Sequence, residues 1–460
     1  TYNVGSATTI GVPYSSYSDW TLLSFLGRIN YSFKSKYLVT ATMRSDGSSR
    51  YSKNNKWGYF PSAAIAWKFS GEEFMKAIPF ISDGKLRVGY GETGSTAINP
   101  YYTLDMLSSG KVCLAEKLYT FYAPGTRLPA DLKWETTSQF DVGLDLGILK
   151  NRFRLTADYY IKNTRDLLNT VQLPRSLGYA TTIQNIGKIQ NKGIEFQLDA
   201  TLLDKTLKWD ISGNIAFNKN KIVTLYGGQD IKGSIYSVTV DNSYVNVLRE
   251  GKPFGAFVGY VYDGMDETGH YKYKDIKSDG KLTDEDRTWI GDPNPDFIYG
   301  LNSRISWKNL NLSLFIQGSQ GNDILGLTYI HENFLYYQGF NTLKEVLYDH
   351  WTPENPNAKY PKIDYSMTTK YSDQFIFDGS YLRIKNIEFG YNVPLKNQGV
   401  SWIKGAYIYA SGQNLLTITS YPWWDPEVNS MGGSNSVNQG LDYYSYPTAK
   451  GCTFGLKLSF

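Results

Sequence analysis

Cysteine and histidine are scarce. The 460 residues include two cysteines, Cys113 and Cys452, and three histidines, His270, His331 and His350. Two cysteines are too few for a disulfide framework, and two free thiols are the simpler reading of their spacing. No metal-ligand spacing, nucleophile elbow or phosphate-cradling loop occurs, so no catalytic nucleophile and base can be assembled. Charge of one sign is lacking too. The balance of 47 basic and 43 acidic residues leaves +4. The basic residues are scattered, which argues against nucleic acid as a partner. No run of about 18 apolar residues occurs, which excludes a helical membrane bundle. Thr1 opens the chain with neither an initiator Met nor an apolar signal segment. This is expected of a processed chain or of part of something longer.

Aromatics and glycine are abundant: 38 Tyr, 11 Trp and 43 Gly, with aromatics at 15%. That composition excludes disorder and points to strands and turns. Period-2 alternation dominates. Phe25, Gly27, Ile29, Tyr31 and Phe33 share one face; Arg28, Asn30, Ser32 and Lys34 share the other. Trp209, Ile211, Gly213, Ile215 and Phe217 oppose Asp210, Ser212 and Asn214 in the same way. The runs are about 9 to 13 residues long, against about 5 to 6 in ordinary globular sheets, and a soluble sandwich would use shorter strands. Membrane strands need about 9 to 11 residues, with an apolar outer face and a polar inner one.

Connection lengths alternate as well. Tight links (Phe33 to Tyr37, Leu203 to Leu207, Trp307 to Leu310) separate long ones (Glu92 to Glu135, Ser319 to Gly379, Asn414 to Lys450), as the short periplasmic turns and long outer loops of bacterial barrels do. To keep the alternation in phase, a further strand is expected at Tyr244–Leu248. It would turn at Gly251-Lys252-Pro253, and Phe254–Tyr262 would return. The count is then about fifteen, an odd number where single-chain barrels close with even ones. One or two helical turns are expected at Leu343–Leu347, stopped by Pro353.

Several motifs carry a family resemblance. Leu132-Lys133-Trp134-Glu135-Thr136-Thr137 precedes Phe140-Asp141-Val142-Gly143-Leu144-Asp145. Asp158–Leu168 and Asn185-Ile186-Gly187 through Phe196 follow. Further on come Gly291-Asp292-Pro293-Asn294-Pro295-Asp296, Trp351-Thr352-Pro353-Glu354-Asn355-Pro356, Tyr381-Leu382-Arg383-Ile384-Lys385-Asn386, Gln413-Asn414-Leu415 and Asp425-Pro426-Glu427. Together they resemble the SusC/RagA family of TonB-dependent transporters, outer-membrane nutrient importers of Bacteroidota. The resemblance implies an all-β fold, a transmembrane antiparallel β-barrel of about 22 strands filled by an N-terminal plug. Residues 1–460 would be its C-terminal part, with the plug and early strands outside this chain. It also implies a SusD-like lipoprotein lid, TonB coupling through the N-terminal part, and contact with outer-membrane lipid and lipopolysaccharide. The cargo would be a glycan or a peptide, and no cofactor is required. A TonB-dependent siderophore or vitamin receptor, or a surface adhesin barrel, are the alternatives.

Candidate site residues lie mostly in the long loops. Tyr101-Tyr102, Tyr336-Tyr337, Trp423-Trp424 with Asp425, and Tyr443-Tyr444 offer flat rings that stack on sugars or peptide side chains. The same rings could instead pack loops or form an interfacial girdle. Asp275, Asp279 and Asp286 occupy ligand positions of a calcium loop, but Lys277 sits where an oxygen donor belongs. An acidic turn held by its own backbone is therefore the stronger reading. Phe460, in phase with the apolar face of the last strand, is expected at the inner membrane boundary as an assembly signal. Arg28, Arg44, Arg87, Asp141, Asp145, Arg154, Asp158, Glu195, Asp199, Asp210 and Arg304 fall on the polar face, where they would meet lumen water or a plug.

Overall fold

Alternating side chains build one long antiparallel sheet. The computed structural model describes residues 17–460 except 97, 105, 125–126, 129–130, 178, 180, 237–242, 335–340, 365–368, 396–401 and 429–436. Thirteen strands pair in chain order. They are β1 (Leu22–Phe33), β2 (Tyr37–Ser48), β3 (Trp57–Trp67), β4 (Ile81–Ser95), β5 (Glu135–Ile148), β6 (Phe153–Arg165) and β7 (Lys188–Asp204). They continue as β8 (Leu207–Thr224), β9 (Phe297–Trp307), β10 (Leu310–Gln320), β11 (Tyr381–Val393), β12 (Gly405–Thr419) and β13 (Gly451–Ser459). β1 and β13 are the two edges, and among the described residues they do not pair with each other. The tight turn between β1 and β2 uses left-handed backbone: Lys34 and Ser35 have φ of 52° and 54°. Such turns match the twist of the strands they join.

The expected count of about fifteen is corrected to thirteen. The stretches assigned to two further wall strands stay out of the wall. Val247–Leu248 pairs with Ile231–Lys232, and Phe257–Gly259 pairs with Thr288–Gly291. Both segments are buried. A fully buried loop ribbon and a wall strand look alike in a short apolar run. No phase is lost, because β8 climbs to the outer rim and β9 descends from it. None of the described residues between Leu225 and Asp296 joins the wall.

Among the described residues, much of the apolar face of the sheet is exposed. Ile29 is 73% exposed, Ile65 61% and Phe454 84%. A water-soluble sandwich would bury these side chains at roughly 25 cal/mol per Å², so the exposure marks a lipid-facing surface. Exposed Phe33, Tyr37, Trp307 and Trp402 lie where the tight turns are, the position of an interfacial aromatic girdle. Phe460 stacks on Trp402 with ring centroids 5.5 Å apart and planes within 8°.

The buried apolar cores lie among the long loops, with Phe60 of β3 contributed by the wall. One gathers Tyr51, Phe60, Ile98, Leu132, Trp134 and Ile183. The other gathers Val245, Phe257, Leu325, Leu327, Ile330, Val346, Tyr360, Tyr371, Phe375 and Leu441. This second body includes α1 (Leu327–Phe334) and α2 (Lys344–Tyr348), the latter where a short helix was expected.

A charge on the lipid face should be costly, and a charge on the lumen face tolerated. Leu198→Arg in the full-length receptor is expected to destabilise folding into lipid vesicles by about 2–4 kcal/mol. Gln197→Arg, one residue away on the other face, should cost less than about 1 kcal/mol. Equal costs in reversible denaturant titrations would contradict the assignment of faces.

Candidate functional site

Two loop bodies stand on the wall, and the motif residues fasten them to it. In the first, the Asn185 amide holds the backbone of Lys133 from both sides. Its Nδ2 donates to the Lys133 carbonyl at 2.7 Å, and its Oδ1 accepts from the Lys133 amide at 2.9 Å. The same Nδ2 donates to the Asp166 carbonyl at 2.9 Å, and Lys133 Nζ pairs with the Asp166 carboxylate at 2.9 Å. Glu135 accepts the Leu168 amide at 2.7 Å, and Trp134 Nε1 donates to the Lys56 carbonyl at 3.1 Å. Three motif segments, far apart in sequence, thus close one hydrogen-bonded knot.

The second body is tied by amides and by one buried guanidinium. Asn220 Nδ2 donates to Asn294 Oδ1 at 2.6 Å, while Asn220 Oδ1 accepts the Phe254 amide at 2.6 Å. Asn294 Nδ2 donates to the Phe254 carbonyl at 2.8 Å. Arg383 on β11 is 2% exposed. It donates to Asp425, to Glu427 at 2.7 Å, to Thr417 Oγ1 at 2.9 Å and to Thr448 Oγ1 at 3.2 Å. Burial pushes the Asp425 carboxyl up, but hydrogen bonds from Thr448, the Glu427 amide and Arg383 outweigh it and bring its pKa from 3.8 down to about 2.

Between the bodies lies a cleft of about 600 Å³. Glu135, Leu168 and Ile189 line one side; Ile222, Phe254, Asn294 and Gln439 line the other; Asn191, Asn218 and Asn220 line the wall below. A second hollow of about 620 Å³ on the polar face also includes Asn191 and Asn218, with Tyr160, Lys162, Asp158 and Glu195. The shared asparagines join the outer cleft to the lumen wall. Each side-chain amide both donates and accepts, which suits ligands that carry amides or hydroxyls.

The lumen charges are partly self-paired. Arg87 forks onto Asp145 at 2.9 and 3.0 Å and reaches Asp158 at 2.9 Å, spanning β4, β5 and β6. Gly143 lies beneath this fork, where a Cβ would stand 2.5 Å from Arg87 Nη2. The motif glycine leaves room for the guanidinium to cross the sheet.

The loop aromatics do not gather at one point. Tyr101 bonds Asp19, and Tyr102 Oη accepts from Asn99 at 3.0 Å, both in the first body. In the second, Trp423 meets Tyr329 edge-on at 6.3 Å and Trp424 is exposed. The Tyr444 hydroxyl bonds Glu332, and its ring lies against Tyr443 at 5.1 Å. Asp425 is committed to Arg383. Tyr336 and Tyr337 lie outside the described residues. Asp275 and Asp279 accept the Gly280 and Lys281 amides at 2.7 and 2.9 Å. Asp286 accepts those of Lys277 and Thr283 at 3.0 and 2.7 Å. Their oxygens thus close an acidic turn, and among the described residues no group of three or more His, Cys, Asp or Glu side chains is arranged to hold a metal. Of the cleft asparagines, Asn191 and Asn294 fall within the family motifs, whereas Asn218 and Asn220 have no signal beyond the Asn-Lys-Asn-Lys run at 218–221.

Arg383→Met should strand a buried Asp425 and loosen residues 420–428 by about 3–5 kcal/mol, seen as faster amide hydrogen exchange there. Because the Asp425 pKa is lowered on folding, its contribution is complete above the ordinary value of 3.8 and is lost as pH falls towards about 2. Protection of the Thr448 amide, which donates to Asp425 at 2.9 Å, should stay flat down to about pH 4 and collapse below it.

The family model described as "TonB dependent receptor-like, beta-barrel" matches residues 1–415. The TonB-dependent receptor P3 of Formosa agariphila is 37% identical over 99% of this chain and 47% of its own length. The TonB-dependent receptor SusC of Bacteroides thetaiotaomicron is 34% identical over 96% of this chain and 44% of its own length. The solved structure of the RagAB peptide transporter superposes with a TM-score of 0.85 at 25% identity, covering 99% of this chain and 49% of the matched one. The chain therefore spans about half the length of the relatives it matches. It belongs to the TonB-dependent receptor-like β-barrels, a family of outer-membrane transporters rather than enzymes, and within that family it is similar to SusC and to RagA.

Proposed function

We propose that this chain is the C-terminal barrel portion of a TonB-energised importer that takes up oligopeptides or oligosaccharides captured with a SusD-like surface lipoprotein. The observation that carries this reading is the amide-lined cleft between the loop bodies, which shares Asn191 and Asn218 with the polar lumen wall. Oligomers of amide or hydroxyl units match such a surface at successive positions, and no single deep pocket is needed to hold them. The likeness to RagAB, itself a peptide transporter, supports an oligomeric cargo. In this reading, the remaining strands of an approximately 22-stranded barrel and its plug come from the rest of the receptor. Energy would arrive through TonB at the plug, so the barrel half needs no nucleotide site.

Growth of a deletion strain on defined glycans and peptides identifies the cargo. Complementation with Asn218→Leu/Asn220→Leu receptor should then lower uptake of that cargo about tenfold, since each amide lost from a polar site costs on the order of 0.5–1 kcal/mol. Uptake should also stop when TonB is removed. Normal uptake by the doubly substituted receptor, at equal abundance in the outer membrane, would contradict the role of the cleft.

A further inference from the structure

Among the described residues that line the cleft between the loop bodies, Glu135 alone carries a charge. The others are amides or apolar side chains, so no basic group faces it from the cleft lining. Its Oε1 accepts the Leu168 amide at 2.7 Å, and Oε2 has no hydrogen-bond partner among the described residues. The basic side chains nearby are committed elsewhere: Lys133 to Asp166 at 2.9 Å, Arg165 to Glu92 at 3.1 Å, and Arg50 to the carbonyls of Thr96 and Ile98 at 3.2 Å. A half-buried carboxylate without a counter-ion is costly, and a bound cation removes that cost. Position adds a second observation. Glu135 opens β5, and the cleft amides follow in strand order: Asn191 on β7, then Asn218 and Asn220 on β8. β5 to β8 are consecutive in the sheet. Three strand spacings come to about 14 Å, the reach of about four residues of extended peptide.

We propose that Glu135 anchors the amino terminus of an oligopeptide: Oε2 accepts from the α-ammonium, and the residues that follow cross from β5 to β8 over the asparagine amides. This rests on the reading of the cleft as the place where cargo is held. The lone carboxylate selects a cation, because a neutral oligosaccharide would leave it without a counter-ion. Its place at one end of the amide row selects a chain terminus, since a lysine ammonium projects sideways from the middle of a chain. Asn191 and Asn218 can pair with peptide N–H and C=O groups along the row. Leu168, Ile189 and Ile222 line the same stretch and offer apolar contact to the first side chains.

The test uses the full-length receptor and two peptide libraries of uncharged side chains and amidated carboxyl termini, one with free amino termini and one N-acetylated. Because a charge-assisted hydrogen bond is at stake, the wild-type receptor should bind the free-amine library about 10- to 100-fold more tightly at neutral pH. In the Glu135→Gln receptor, which keeps an oxygen for the Leu168 amide, that ratio should fall to about one through loss of the free-amine form. Equal binding of the two libraries by the wild-type receptor overturns the ammonium, whether or not the variant folds. An undiminished preference in a Glu135→Gln receptor that shows the heat-modifiable migration of a folded barrel overturns Glu135 as its partner. Tighter binding of a glucosamine oligomer than of the free-amine library overturns the peptide as the source of the amine. The Asn218→Leu/Asn220→Leu receptor is the separate arm: if it binds the free-amine library as the wild type does, the cleft reading itself fails, whatever Glu135 does.

Discussion

A strand in hydrocarbon must satisfy every backbone N–H and C=O through its neighbours, and it must sort its side chains between lipid and water. The rest of this molecule depends on that double constraint. The first half produces thirteen strands paired in unbroken chain order. The second places Ile194, Phe196 and Leu198 on one side of β7, with Glu195, Gln197 and Asp199 on the other. A register slip of one residue would exchange the two sets, so the pairing is strongly specified wherever one side meets lipid. Since the wall buries little apolar surface within the chain, conventional core formation is left to the loops. That explains why both buried clusters lie there.

The family motifs acquire a physical meaning from this division of labour. A long loop on a barrel rim has no sheet to fix it and loses much conformational entropy on ordering. Asn185, Asn294 and Arg383 each replace a ladder with a side chain that bonds several partners at once. The Arg383 cluster resembles other buried ion pairs: it adds less net stability than its contacts suggest, yet it allows only one arrangement of the segment that carries Asp425. Gly143 does the complementary service in the wall, yielding space so that Arg87 can bind two carboxylates on neighbouring strands.

The wall was legible from sequence because period 2 is a local signal: each strand announces its own two faces. Tyr244–Leu248 stays out of the wall although the alternation of connection lengths points to a strand there, because burial on both sides erases the period that tells a wall strand from a loop ribbon. The short helix at Lys344–Tyr348 emerged close to its expected position, since a proline two turns on bounds it. The cleft was illegible for a different reason. Its asparagines come from β7, β8 and a loop after residue 290, and no spacing along the chain reports that they meet. Loop aromatics drew attention as ligand platforms, but Tyr102 and Trp423 pack against their own loop bodies. Asp425 is visible only as a carboxylate in the sequence; its pairing with a residue 42 positions away needs the fold.

Cleft and lumen share one further property that follows from the same alternation. Asn191 and Asn218 face inward at neighbouring positions on paired strands, and Tyr160 donates to Asn218 at 3.0 Å from the next strand along. The inner wall below them continues with Asp158, Glu195 and Asp141. Polar groups thus recur along the path at strand spacing. A passage has to bind well enough to admit its cargo and weakly enough to release it, which repeated modest contacts achieve better than one deep site.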